Sequence, residues 1–187
     1  MRIIAGALKS RRLAAPDFAG LRPTSDKLRE TLFNVVAARV PGACVLDGFA
    51  GTGALGIEAL SRGAAHVTFV DADRRAIALV EENVRRCGVA ERCAIIRGNL
   101  IEVAPHLTHA PFDLVLLDPP YSCDAEDVRG ALRAVSRALA EDGLVVLEHA
   151  RRREGPRAVG DLIATRTLGS GDSVLSFYRR AIGERHE

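Results

Sequence analysis

From residue 43 onward the chain alternates between two hydrophobic rhythms. Short apolar runs bounded by turn residues fall at 43–47, 66–71, 93–97, 112–118 and 143–148. Each reads as a strand buried on both faces. Between them, at 54–62, 73–87, 100–106 and 125–140, apolar residues recur at helical spacing. Gly63 and Gly88 stand where helix C-caps are expected. Two more strand-like runs, 162–168 and 173–180, follow with no clear crossover helix between them. This alternation predicts an α/β fold, a doubly wound and mostly parallel seven-stranded sheet whose last strand is antiparallel.

The first forty residues follow neither rhythm for long. Residues 2–9 suit a hairpin turning at Gly6, followed by a basic loop through Lys9, Arg11 and Arg12. Pro16 and Pro23 keep the next stretch extended. Ser25 is placed to cap a helix whose apolar face is Leu28, Leu32, Val35 and Val36, and which stops before Pro41-Gly42. The pattern therefore divides into an N-terminal extension, 1–40, and a main domain, 41–187.

Composition narrows the class. At 187 residues, 48% hydrophobic and 27% charged, the chain is sized for one soluble domain. It shows no apolar run of membrane-spanning length and no signal core, so a cytoplasmic location is expected. Cys44, Cys87, Cys93 and Cys123 lack metal spacing, and the five histidines form no cluster, so no metal is expected. The net charge of +2 is uneven: +5 over 1–40, −6 over 41–150 and +3 over 151–187. Basic flanks around an acidic middle fit either an anionic partner or a solvated surface.

Candidate chemistry begins at Gly51-Thr52-Gly53-Ala54-Leu55-Gly56, a GxGxxG turn that follows one predicted strand and opens a helix. Asp71, at the tip of the next strand, is placed to accept hydrogen bonds from ribose hydroxyls. Asp47 closes the first strand beside the loop. A carboxylate there repels a pyrophosphate and favours a cationic group, which tilts the loop from NAD toward S-adenosyl-L-methionine. Asn99 can offer its amide to an adenine edge, or serve as an ordinary helix cap.

The second constellation is Asp118-Pro119-Pro120-Tyr121, directly after the strand at 112–118. Proline offers a carbonyl and no N–H. The corner thus accepts hydrogen bonds and presents a ring for stacking, which suits a flat group bearing an amine. Glu148, at the end of the following strand, is placed either to approach this corner or to serve structure.

Together, Val45-Leu46-Asp47-Gly48-Phe49-Ala50-Gly51-Thr52-Gly53 and Asp118-Pro119-Pro120-Tyr121 resemble the class I, Rossmann-like, S-adenosylmethionine-dependent amino-methyltransferases. Arg22-Pro23-Thr24-Ser25-Asp26-Lys27-Leu28-Arg29-Glu30-Thr31-Leu32-Phe33-Asn34 resembles the RsmD family more specifically, as do the opening Arg2-Ile3-Ile4-Ala5-Gly6 and 171–178. The resemblance implies methyl transfer to the exocyclic N2 of a guanine in bacterial 16S ribosomal RNA, presented as RNA or as a small-subunit particle. It implies a catalytic role for Asp118, Pro119, Pro120 and Tyr121. It implies cofactor contacts from Asp47, Phe49, Ala50, Gly51, Gly53, Asp71, Ala72, Asn99 and Leu100. The expected RNA contacts are Arg2, Lys9, Arg11, Arg12, Arg22, Lys27 and Arg29, with Arg151, Arg152 and Arg153 open between a second RNA set and a solvated loop. A monomer is expected. Three other readings stand beside this one: a DNA adenine-N6 methyltransferase, an NAD-dependent oxidoreductase, and a non-catalytic RNA-binding module.

Overall fold

The computed structural model describes residues 1–16, 25–120 and 122–181. In chain order they form α1 (Asp26–Val35), β1 (Cys44–Asp47), α2 (Ala54–Ser61), β2 (His66–Asp71), α3 (Arg74–Cys87), β3 (Cys93–Arg97), α4 (Leu100–Val103), β4 (Phe112–Leu117), α5 (Ala125–Ser136), β5 (Leu139–Ala150), β6 (Ala158–Val159), β7 (Leu162–Ser170) and β8 (Ser173–Arg180). One sheet runs β3-β2-β1-β4-β5-β8-β7-β6. The first five strands are parallel, and β8 runs antiparallel to both β5 and β7.

The described sheet has eight strands, not seven. The extra one is Ala158–Val159, which turns at Gly160 and pairs antiparallel with Leu162 and Ile163. A two-residue strand is too short to leave a period in the sequence. The helix expected over 125–140 ends at Ser136, and the following strand begins at Leu139 rather than 143. The hairpin expected to turn at Gly6 closes lower, through an antiparallel bridge between Arg2 and Arg12.

Caps explain where the helices begin and end. The Ser25 side chain accepts from the Leu28 N–H, and Asp73 caps α3, which ends in a left-handed Gly88. Asp124 and Asp127 form a reciprocal capping box at α5. Strand alternation sorts the core into two halves. Val45, Phe69, Leu116, Val146 and Phe177 belong to one apolar cluster, shared with Leu28, Leu32 and Phe33 of α1, Ile57 of α2 and Val80 of α3. Leu46, Val70, Leu117, Leu147 and Tyr178 belong to the other, with Leu132 and Val135 of α5. The N-terminal Ile3, Leu8 and Leu13 are buried in the first cluster, so this segment is packed against the main sheet.

No described helix is long and apolar enough to cross a membrane.

Candidate active site

β1 and β4 are neighbours whose following connections depart to opposite faces of the sheet, which is where open α/β sheets place ligands. Asp47 lies in register with Leu116, and the Gly48 N–H donates to the Leu116 carbonyl at 2.9 Å. The glycine corner after β1 and the acidic proline corner after β4 are therefore adjacent. Along each strand side chains alternate between the two core clusters. By that count Asp71, Asp47, Asp118 and Glu148 all fall on the α2–α3 side, one at the carboxyl end of each of β2, β1, β4 and β5.

Asp47 is fully buried, and its Oδ2 accepts from the Gly56 N–H at 2.9 Å. Burial pushes its pKa up to about 8, with Asp118 and Asp71 adding repulsion against the partial relief of the Gly56 bond. Burial and the two neighbouring acids thus favour the neutral form of Asp47. Its Oδ1 is buried without a hydrogen-bond partner. An orphaned carboxyl oxygen in a row of acids fits a cationic, hydrogen-bonding ligand, and the residues present therefore suit S-adenosyl-L-methionine.

Asp71 ties the loop together. Its Oδ2 accepts from the Gly51 N–H and its Oδ1 from the Asp73 N–H, each at 2.9 Å, while the residue stays half-exposed. The Ala50 N–H donates to the Val70 carbonyl at 3.0 Å. Gly53 caps α2 in the left-handed region. At Gly56 an added Cβ would sit 2.2 Å from the Phe69 ring, so only glycine lets α2 lie this close to β2. Phe49 is half-buried, Ala72 is exposed, and Leu100 is buried with its side chain against Gly48. The Asn99 side chain caps α4 by accepting from the Ile101 N–H at 2.9 Å, so the capping role holds its oxygen.

At the second corner Asp118 is half-buried, Pro119 buried and Pro120 exposed; Tyr121 lies outside the described residues. The Pro120 carbonyl accepts from the Cys123 N–H at 3.0 Å. The Cys123 carbonyl accepts from Arg153 Nη1 at 2.6 Å, which places this member of the open Arg151–Arg153 set against the acidic corner's loop.

The basic residues divide. Arg29 is fully buried, its Nη2 donating at 2.7 Å to both the Arg2 carbonyl and Asp26 Oδ1. It cannot present itself to RNA, because the helix period that exposes Lys27 turns Arg29 inward. Arg11, although exposed, donates to the Arg86 and Cys87 carbonyls at the end of α3, a helix-terminus role that competes with phosphate binding. Arg2, Lys9, Arg12 and Lys27 are exposed. Arg2 and Arg12 line a cavity of about 510 Å³ with Met1, Ser10, Leu13 and Asp26, beneath the N-terminal segment rather than between the two corners. Arg22 lies outside the described residues.

Sequence reasoning missed Asn83. Fully buried on α3, it accepts from the Ala14 N–H at 2.7 Å and donates to the Ala14 and Thr52 carbonyls, coupling the N-terminal segment to the glycine loop. Its only advance signal was a polar residue on the apolar face of a helix.

The model of the family described as Conserved hypothetical protein 95 matches residues 1–179. The chain belongs to this family. It is the RsmD family that the 22–34 block resembles. Among similar proteins, Ribosomal RNA small subunit methyltransferase D of Escherichia coli (strain K12) is 38% identical over 180 residues, 96% of this chain and 90% of that protein. The Haemophilus influenzae (strain ATCC 51907 / DSM 11121 / KW20 / Rd) protein of the same name is 35% identical over 151 residues, 79% of this chain and 78% of that one. The solved Escherichia coli protein yhhF superposes with a TM-score of 0.80 at 31% identity, covering 96% of this chain and 97% of that one.

Proposed function

We propose that the protein transfers a methyl group from S-adenosyl-L-methionine to the exocyclic N2 of a guanine in 16S ribosomal RNA. The observation that carries this reading is the adjacency of the glycine corner and the acidic proline corner at the ends of β1 and β4. The small-subunit methyltransferase names of the relatives support the substrate class.

S-adenosyl-L-methionine, when bound, supplies an electrophilic methyl on a positively charged sulfonium. Asp47, Asp71 and the 49–53 loop would hold it, together with Ala72, Asn99 and Leu100. A guanine amine is a poor nucleophile because its lone pair is delocalised into the ring. Asp118 and the Pro119 carbonyl each accept one of its N–H bonds and turn the lone pair outward. Positioning and matched electrostatics then supply most of the acceleration. As the N–C bond formed and the methyl–sulfur bond broke to leave a neutral thioether, the nitrogen would become acidic, and Asp118 would take the departing proton. Tyr121 stacks on the target base, an interaction worth about 1–3 kcal/mol. The target must be unpaired or flipped out to enter.

The described residues 1–16 and 25–40 offer Arg2, Lys9, Arg12 and Lys27 to phosphates. Tritium transfer into ribosomal RNA from cells lacking the enzyme, with mapping of the labelled base, tests the reading. Label on a guanine N2 of 16S RNA is expected. Label on an adenine, or none in ribosomal RNA, overturns it.

A further inference from the structure

The loop after β5 belongs to the ligand edge of the sheet, and the reaction above leaves it unused. β4 and β5 are parallel neighbours, so residues 151–157 leave the sheet at the same edge as the acidic proline corner. Arg151, Arg152 and Arg153 follow one another there, all exposed. Their backbone is held in place. The Arg151 N–H donates to the Asp172 carbonyl at 2.8 Å, and the Arg153 N–H to the Ala150 carbonyl at 2.9 Å. The side chains divide. The Arg151 guanidinium lies over β7, where a Cβ added to Gly169 would fall 2.7 Å from its Nη2. Arg153 instead reaches the chain that follows the corner, through its 2.6 Å bond to the Cys123 carbonyl. That bond uses one of the five N–H donors of the guanidinium. Among the described residues Arg153 forms no ion pair. Asp124 and Asp127, the acids next to Cys123 in sequence, are occupied with each other in the α5 capping box.

We propose that Arg152 and Arg153 form a second phosphate-binding wall of the RNA entry, Arg153 gripping the backbone beside the target base while its Nη1 holds the chain after the acidic corner. The inference rests on the methyl-transfer reading above and deepens it. A guanidinium fork meets a phosphate with two parallel, charge-assisted bonds, and the donors that Arg153 does not spend on Cys123 suffice for that. The exposed Arg2 and Arg12 stand on the other flank, bridged to each other and joined to the glycine loop through Met1, whose Sδ accepts from Thr52 Oγ1 at 3.9 Å. The chain between these two basic sets, 41–150, carries a net charge of −6. Phosphates are drawn to the flanks and disfavoured between them, which leaves a base, rather than the backbone, to enter the corner. A merely solvated loop would not need the bond that ties Arg153 back to the corner.

The test measures binding of the full-length enzyme to small subunits from cells lacking it, across a range of salt, alongside methyl transfer at saturating subunits. Arg153→Ala and Arg152→Ala are each expected to weaken binding and to reduce the slope of log K against log salt by about 0.7–0.9, one phosphate contact apiece. Arg153→Lys keeps the charge and is expected to keep the wild-type slope while losing the fork. Arg151→Ala, whose guanidinium lies over Gly169, is expected to leave the slope unchanged. Wild-type slopes in both Arg152→Ala and Arg153→Ala overturn this inference alone. So does an Arg153→Ala enzyme that turns over more slowly at saturating subunits with its slope intact, because Arg153 then only positions the corner. A wild type that binds the subunits and transfers no methyl group overturns the functional reading, and this inference with it.

Discussion

The Glu58 carboxylate on α2 accepts the backbone N–H of Ile4 at 2.8 Å, across 54 positions of sequence. The same carboxylate accepts from Ala5 at 3.0 Å and from Arg62 Nε at 2.8 Å, and it is fully buried. One side chain thus anchors the N-terminal segment to the helix that starts at the glycine loop. Replacing Glu58 by alanine strands two part-buried N–H groups and the Arg62 guanidinium. We expect a loss of about 3 kcal/mol in denaturant unfolding and faster proteolysis near the N-terminus. An unchanged unfolding midpoint would show that the anchor contributes nothing.

Gly6 faces the same helix. It is left-handed at φ +83°, and a Cβ there would fall 1.9 Å from the Ser61 carbonyl oxygen. Gly6→Ala must displace backbone, and the Ala7 N–H bond to that carbonyl at 2.8 Å goes with it. The expected cost is roughly 2–4 kcal/mol, read as a lower melting temperature.

Asp47 sets a pH dependence whose sign is fixed by its upward shift from 3.8 to about 8. Between those values the unfolded chain has released a proton that the folded chain keeps, so stability falls as pH rises through the window and is flat on either side. The ceiling of this loss is on the order of 5 kcal/mol. Asp47→Asn removes the term. The difference in unfolding free energy between variant and wild type should therefore change in favour of the variant from pH 4 to pH 8, and a constant difference would refute the assignment.

Asp118→Ala should lower kcat by about a hundredfold or more at saturating RNA, because the half-buried side chain acts on the amine. Near-wild-type turnover under those conditions rules out its role as proton acceptor.

Arg11 and Arg12 are neighbours in sequence with different work. Arg12→Ala is expected to weaken RNA binding and reduce the slope of log K against log salt by about 0.7–0.9. Arg11→Ala should leave that slope near wild type and cost about 0.3–1 kcal/mol of stability through the lost contact at the end of α3. Equal salt effects from both would place Arg11 on the RNA instead.

The two corners were readable because each is local. A glycine turn announces itself by φ requirements and a strand end by the loss of its apolar run, so the places of Asp47, Gly51, Gly53, Asp71 and Asp118 at turns and strand ends could be read one by one. Arg29 was misassigned for the complementary reason. Charge on a short amphipathic helix is assigned outward by default, and only packing shows that α1 turns this arginine toward Asp26 and the Arg2 carbonyl.

What the sequence determined by itself was the order of strands and helices, since periodicity and caps are properties of neighbouring residues, together with the chemistry of each loop. Tertiary structure alone decided which loops meet. Strand order brings residues 47, 71, 118 and 148 into one row on one face. It also raised the pKa of Asp47, because a carboxyl group titrates according to its burial and its neighbours, and those come from strands far apart in the chain.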